Sequence, residues 1–424
     1  MKTAVWLYLF LFVAFFDLHA QYPVLTPFAV SLGAAPSFIG LMMGLYALTH
    51  LPGNLLAGYG VDRFGSRFFI VASLTGAGAI LLVQSRVTDP WQLLVLRSVS
   101  GFVLAFLSPA CMALLAGITR DRVLQGKLMA GNGLVHTLAS VVSPAAGAWL
   151  VARVGFAAAF EALGWLLLAT GLCALAFIRN PRPAADGPPD GKGPDAGRFR
   201  GGAAGPTAGG LAGGETGSAG GKMPVRGPGV GGGTGPLPDG AAGPYVWLLF
   251  LLPLAVSCSQ GILFFELPLM NPTAEGAFTT GILFSLVSIG SLATLSLLFL
   301  NRLSAFRRTA AGALGLAMAF WGMAADVPFP FAGFLLSIGM AKGVLFPAMS
   351  SLIIAASGPR AYGRMFSFFS VASSVGAFLG PFLAGHVRDA VSPYFLAFVA
   401  LMLAVSLLPF HDARPHRIRW QRQH

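Results

Sequence analysis

Twelve runs of apolar residues, each about 17–28 long, follow one another with only short polar breaks, and a glycine–proline tract separates the sixth from the seventh. At roughly 1.5 Å per helical residue, each run is long enough to cross a hydrocarbon core of roughly 30 Å. The runs cover 4–30, 36–60, 67–86, 91–117, 128–152 and 156–179 before the tract, then 245–271, 277–300, 309–325, 328–356, 364–388 and 392–410 after it. The short connections favour antiparallel neighbours. The pattern therefore predicts an all-α membrane protein of twelve transmembrane helices in two six-helix halves. Lys2 followed by apolar residues to Phe16 has the look of a signal peptide, but the apolar character continues to Val30 and no A-x-A site closes it. The run is read as an uncleaved first span.

The tract, Pro181 to Gly243, holds 22 glycines in 63 residues and almost no aromatic side chains. Such a chain buries too little apolar surface to offset its conformational entropy, so it is expected to be a disordered tether. Its Gly191-Lys192 and Gly221-Lys222 pairs lack the following Ser or Thr and the preceding strand of a phosphate loop. The predicted organisation is a bundle over 1–180, the tether 181–243, a second bundle over 244–410 and a basic tail 411–424.

The two halves echo each other at a nearly constant offset, as a duplication requires. Pro23-Val-Leu-Thr-Pro27 recurs as Pro268-Leu-Met-Asn-Pro272, 245 positions on. Gly101, Leu107, Pro109, Ala110 and Leu114 recur as Gly339, Leu345, Pro347, Ala348 and Leu352, 238 positions on. Ser143-Pro144 answers to Gly380-Pro381 and Gly126-Lys127 to Gly363-Arg364, both 237 on, and Asp62-Arg63-Phe64 has a weaker echo in Asn301-Arg302-Leu303. Two repeats with a site between them is an architecture of alternating-access carriers.

Charge changes the picture only through its placement. The net charge is +12, with 55% hydrophobic and 10% charged residues, which excludes an ordinary soluble enzyme. With both termini inside, 22 of the 27 Lys and Arg fall on the cytoplasmic side; Arg86, Arg153 and Arg388 lie outside, and Arg97 and Lys342 lie within spans. This positive-inside bias sets the orientation and argues against a nucleic-acid partner. Cys111, Cys173 and Cys258 sit singly in different spans, without a metal or redox pattern, and no cofactor motif is visible.

The segment Gly58-Tyr-Gly-Val-Asp62-Arg63-Phe-Gly65-Ser-Arg67 resembles the G-x-x-x-D-R-x-G-R-R loop of the major facilitator superfamily, departing at Ser66. Gly58 permits close helix contact, Gly65 a tight turn, and Asp62 with Arg63 and Arg67 a latch across a seam. Arg97 with Gly101 resembles the superfamily's fourth-span R-x-x-x-G. Asp17 ahead of Pro23–Pro27 resembles the first span of twelve-span drug:H⁺ antiporters. The antiporter motif of the fifth span is degenerate, keeping Pro144 and Gly147; Gly376, Gly380 and Pro381 of the eleventh span match it better.

By that resemblance spans one, four, seven and ten line a central cavity, and each carries one formal charge: Asp17, Arg97, Glu266 and Lys342. A charge at mid-span costs about 2.5–3.5 kcal/mol to insert, so four facing lipid would cost roughly 10–14 kcal/mol; in a wet cavity, or paired, they cost much less. Asp17 lies too deep for its short side chain to reach the inner interface. Burial and a neighbouring cation act on its charge in opposite senses, so a carboxylate whose balance shifts as the cavity changes side is the candidate proton carrier. Glu266 is nearer the outer end, suiting an interface as well as a substrate. Arg97 is expected to hold a polar network, and Lys342 to pair with Asp17 or Glu266 or to attract an anionic group. His19, His50 and His136 each stand alone in the sequence and are expected to be packed, hydrogen-bonded side chains; His19 and Asp17 point to different helix faces. Pro23, Pro27, Pro268 and Pro272 are expected to let cavity helices bend.

The resemblance implies a monomeric carrier in a cell membrane of the bacterial inner type. Its partners are a small-molecule substrate, protons and the bilayer; no metal or other cofactor is implied. Proton-driven export of a small amphiphile is the leading expectation. Proton-coupled uptake of a metabolite, or a non-transporting sensor using the basic tail, stay open beside it.

Overall fold

The structure, a computed structural model, describes residues 2–119, 122–178, 244–295, 304–356 and 362–408. The glycine–proline tract, the Asn301-Arg302-Leu303 echo and the basic tail lie outside the described residues. Twelve α-helices account for almost all of the rest: α1 (Lys2–Ser31), α2 (Pro36–Phe64), α3 (Ser66–Gln84), α4 (Pro90–Leu104), α5 (Leu107–Gly117), α6 (Arg122–Phe177), α7 (Leu251–Leu269), α8 (Ala274–Leu295), α9 (Ala305–Ala324), α10 (Phe331–Ala356), α11 (Tyr362–Val387) and α12 (Pro393–Ser406). Helix numbers and span numbers diverge in the first half. The fourth span is α4 followed, after a break at Ala105–Phe106, by α5; the fifth and sixth are the two arms of α6, parted at Gly155 with φ +82°. A short 3₁₀ turn, Pro244–Phe250, leads into α7.

Chain punctuation explains these limits. Pro36, Pro90 and Pro393 open helices, where a missing N–H is harmless. The Asp89 side chain accepts from the Trp91 amide at 2.7 Å, and Ser304 accepts from the Arg307 amide. Gly65, with φ +83°, is the single residue between α2 and α3. Among the described residues, eight helical stretches are long and apolar enough to cross a membrane by themselves, and one of them, Gly131–Phe177, holds two spans. The other three are α2, which carries His50 and Asn54; α9, which starts beside Arg307 and Arg308; and α12, which has 14 residues. A helix with polar residues needs protein neighbours where a uniformly apolar one does not.

Within the first half α1 and α3 lie along α6 and α2 lies along α4. In the second, α7 packs on α11 and α12, and α9 and α8 pack on α10. Small residues let these backbones approach. Gly101 admits the Tyr46 carbonyl of α2; its repeat counterpart Gly339 admits the Val287 carbonyl of α8, so both halves use the position alike.

The halves meet where α2 lies on α11 and the first arm of α6 lies on α8, with α1 reaching α7 and α8. This seam carries the duplication too. A methyl group on Gly40 would strike the Pro381 carbonyl, and one on Gly281 the Pro144 carbonyl. Proline 144 and proline 381 are repeat counterparts, each facing a glycine in the opposite half. Gly44 against Phe378, Gly385 against Pro36 and Ser37, and the stacked rings of Tyr22 and Phe264 complete the contact. All these approaches lie toward the end of the bundle that holds the loops after α1 and α7. No extensive packing joins α4 or α5 to α10 among the described residues. Among the described residues the halves therefore touch toward that end and are not packed together between the fourth and tenth spans.

Candidate functional site

Asp17 and Arg97 are 2% and 4% exposed, so neither charge faces lipid or bulk water. They are joined through a residue the sequence reading passed over. Gln21, one turn after Asp17 on α1, donates from Nε2 to both carboxylate oxygens at 2.8 and 2.9 Å. The Arg97 guanidinium of α4 donates to Gln21 Oε1 at 2.7 Å. A side-chain amide donates to an acid through its nitrogen and accepts from a base through its oxygen at once, so Gln21 bridges the opposite charges. Its spacing of four from Asp17 was the available signal. Arg97 also lies over the Tyr46 ring of α2, 4.4 Å from its centroid, where the ring face shares in balancing the cation.

Glu266 does not join this group. It pairs with Arg388, just beyond the end of α11, at 3.1 Å. Arg388, expected outside, thus reaches back to the seventh span, and Glu266 is not the partner of Lys342. The Arg388 side chain is 26% exposed and that of Glu266 12%, which places the pair toward the end where the halves touch. Lys342 is left without either expected carboxylate. Its ammonium lies 5.8 Å from the Phe346 ring centroid and beside a small crevice lined by Ser259, Gln260, Leu263 and Phe320.

The three histidines do not all stand alone. His19 of α1 and His136 of α6 meet edge to face, 5.1 Å between centroids, and Phe15 packs on His136 at 4.7 Å. His19 Nδ1 donates to the Phe15 carbonyl at 2.7 Å. His50 bonds Asn54 one turn on at 2.9 Å. Asp17 and His19 turn to different neighbours, Gln21 and His136, as their spacing requires.

The segment from Gly58 to Arg67 is not a loop. Gly58 through Phe64 finish α2 and Ser66 opens α3, with Gly65 alone between. Arg63 donates to the Tyr59 hydroxyl at 3.1 Å in its own helix, and Arg67 donates to the Leu175 carbonyl of α6 at 2.5 Å. Both contacts stay within the first half. The surroundings of Gly58 and Asp62 lie outside the described residues. Among the residues matched to the antiporter motif, Gly147 packs on Ala20 of α1, and Gly376 and Gly380 pack on Leu254 and Cys258 of α7, each inside its own half. Pro144 and Pro381 face the opposite half, and the glycines opposite them, Gly281 and Gly40, carry no motif. Pro23, Pro27 and Pro268 lie inside helices, whereas Pro272 lies in the loop after α7 and bends none.

A crevice of about 520 Å³ lies away from these residues. It runs over Val83, Arg86, Trp91 and Val95 at the outside of α3 and α4. The candidate charges lie instead on α1, α4, α7 and α10, with Asp17 and Arg97 joined through Gln21, Glu266 held at the rim by Arg388, and Lys342 without an ion pair to either acid.

Residues 7–329 match the family model described as Major Facilitator Superfamily. The chain belongs to this superfamily. It is a multi-pass membrane transporter, not an enzyme. An uncharacterised major-facilitator-type transporter of Methanocaldococcus jannaschii is 28% identical over 144 residues, 34% of this chain and 37% of its own. The multidrug resistance protein MdtG of Salmonella newport is 27% identical over 168 residues, 39% of this chain and 41% of its own. The chain thus spans well under half the length of the curated relatives it matches. Among solved structures, a bacterial homologue of the human lysosomal transporter Spinster, inward-facing and unoccupied, aligns with a TM-score of 0.67 at 14% identity, over 96% of this chain and 94% of its own. The occupied form of that homologue aligns equally well, at 15% identity. These two share the twelve-helix superfamily fold with this chain.

Proposed function

We propose that this transporter exports a small amphiphilic compound in exchange for protons, by alternating access across the seam between its halves. The observation that carries the reading is the Asp17 carboxylate, deep in α1, 2% exposed and held by Gln21 within reach of Arg97. A proton arriving there removes a charge and uncouples the bridge to α4. That gives a local event able to favour one packing of the helices over another. With the termini on the cytoplasmic side, the closed seam faces outward and the parted end faces the cytoplasm. This is the state in which an exported compound loads. The partial likeness to a multidrug resistance protein supports the export direction. A membrane potential supplies about 2.3 kcal/mol per proton charge per 100 mV, enough to drive such an exchange.

The purified full chain reconstituted in liposomes provides the test. An imposed proton gradient should drive a compound from a panel of amphiphiles against its own gradient, and Asp17→Asn should abolish that coupling while leaving protein yield unchanged. Accumulation in inverted rather than right-side-out vesicles fixes the direction. Coupling that survives Asp17→Asn removes the residue from the mechanism.

A further inference from the structure

The two ion-balanced groups leave one charge over. Asp17 and Arg97 share Gln21, and Glu266 is taken by Arg388. Lys342 meets no carboxylate within ion-pair distance among the described residues, although it lies on a cavity helix next to Ser259 and Gln260. A dehydrated ammonium without a counter-charge is costly, and such groups in a membrane span mark substrate paths.

From Lys342, polar and aromatic side chains lead across the seam. Gln260 shares its crevice, and Phe264 is one turn from Gln260 on the same face of α7. Phe264 stacks on Tyr22 of α1 at 4.3 Å; Tyr22 meets His19 at 5.6 Å, and His19 meets His136 at 5.1 Å. Lys342, His19, His136, Tyr22 and Phe264 are half-buried, not sealed in the core.

We propose that Lys342, His19 and His136 form an anion site at the seam, taking the carboxylate of an organic anion whose apolar ring rests against Tyr22 and Phe264. Lys342 supplies the counter-charge and a charge-assisted hydrogen bond; His19, whose Nδ1 already donates to the Phe15 carbonyl, donates to the carboxylate from Nε2 only as the imidazolium. The apolar ring replaces water over the aromatic pair. Because the groups come from α1, α6, α7 and α10, a bound anion ties the two halves together, as a site between repeats must. A dication would meet the ammonium directly and be excluded. The inference deepens the export reading by naming the substrate class, and it rests on that reading only in taking the seam as the substrate path.

Equilibrium binding to the detergent-solubilised full chain, with no proton gradient, separates the two. The probes are tritiated 2-naphthoate, neutral 2-naphthamide and cationic 2-naphthylmethylammonium. Naphthoate should bind saturably and about tenfold more tightly than the amide, and the cation more weakly still. Lys342→Gln should remove that preference without changing amide binding; Lys342→Arg should keep it within about threefold. If Lys342→Gln proves unstable on heating, His136→Phe, which keeps the ring volume, decides: it should weaken naphthoate about fivefold and leave the amide unchanged. Absence of saturable naphthoate binding, a cation bound better than the anion, or naphthoate affinity indifferent to both substitutions overturns the site. Naphthoate binding with these properties but no proton-driven movement leaves the site standing and removes the export reading instead.

Discussion

The two halves of this transporter handle buried charge in opposite ways at equivalent positions. Position 21 plus the repeat offset of 245 is position 266. The first half has glutamine there, and that amide bridges Asp17 and Arg97 into a group closed on itself. The second half has glutamate, which turns to Arg388 at the rim. One half therefore holds its ion pair in the interior through a neutral connector. The other moves its pair to the edge and leaves Lys342 in the interior. Duplication supplies the scaffold twice, and the halves differ in how they hold charge: a buried acid bridged to its base on one side of the seam and, among the described residues, a lysine without a carboxylate partner on the other.

The most damaging change should be Arg97→Leu. It leaves Asp17 buried at mid-membrane with its opposite charge gone, a class of change that costs about 3–5 kcal/mol. Proton-driven transport should fall at least about a hundredfold by the conversion of tenfold per 1.4 kcal/mol. Thermal unfolding of the purified protein should show a matching loss of stability. Asp17→Asn/Arg97→Leu should regain part of that stability without regaining transport. A single Arg97→Leu protein with normal coupling would break the contrast between the halves at its origin.

Next comes the seam that both halves build. Gly40→Val sets a side chain against the Pro381 carbonyl, and Gly281→Val sets one against the Pro144 carbonyl. Overpacking of this kind costs about 1–3 kcal/mol. Because it acts only while this end is closed, each change should raise the open population about tenfold, read as faster labelling of Tyr22→Cys by an impermeant thiol reagent applied at the end holding the loops after α1 and α7. The two substitutions should act alike, since proline 144 and proline 381 are counterparts. Unequal effects would show that the seam is less symmetric than its contacts.

A smaller effect is expected from the connector. Gln21→Leu leaves the Asp17 carboxylate and the Arg97 guanidinium each short of a partner, about 1–3 kcal/mol for an unsatisfied buried group. Transport should drop about fivefold, with most of the loss in turnover and little in substrate affinity. Gln21→Glu makes the first half imitate the second. Two carboxylates one turn apart should compete for Arg97, so the proton dependence of transport should broaden.

Legibility followed the physics at each level. Span lengths, duplication and membrane embedding were readable because the bilayer demands long apolar runs and the repeats keep their prolines and glycines in register. Asp17, Arg97, Glu266 and Lys342 stood out because a formal charge in an apolar run is rare. Which of them would meet was not readable. Pairing depends on how α4 and α11 are placed in space, and Arg388 reached Glu266 from across 122 positions. Gln21 was overlooked because a neutral amide does not stand out among apolar residues, although its spacing from Asp17 was in plain view. His19 and His136 looked solitary for the same reason, being 117 positions apart in sequence but adjacent on α1 and α6. The seam glycines 40 and 281 bear no motif, since what they need to be is decided by the carbonyl opposite.

The mildest change separates the two ion pairs most clearly. Arg388→Gln removes the cation from Glu266, but this pair sits at the rim with a quarter of the arginine side chain exposed. Water screens the charge that remains, and a pair so placed is worth about 1 kcal/mol or less. Stability should fall by no more than about 4–8 °C in midpoint on the scale of a small domain, and less for a chain of this size. Transport should stay within about twofold of the parent, because no step at the seam passes through Arg388. Salt should reduce the difference further, as it does for exposed pairs and does not for buried ones. If Arg388→Gln instead silenced transport as completely as Arg97→Leu, the rim pair would be part of the working site. The asymmetry between glutamine at 21 and glutamate at 266 would then reflect two coupled charge groups in place of one.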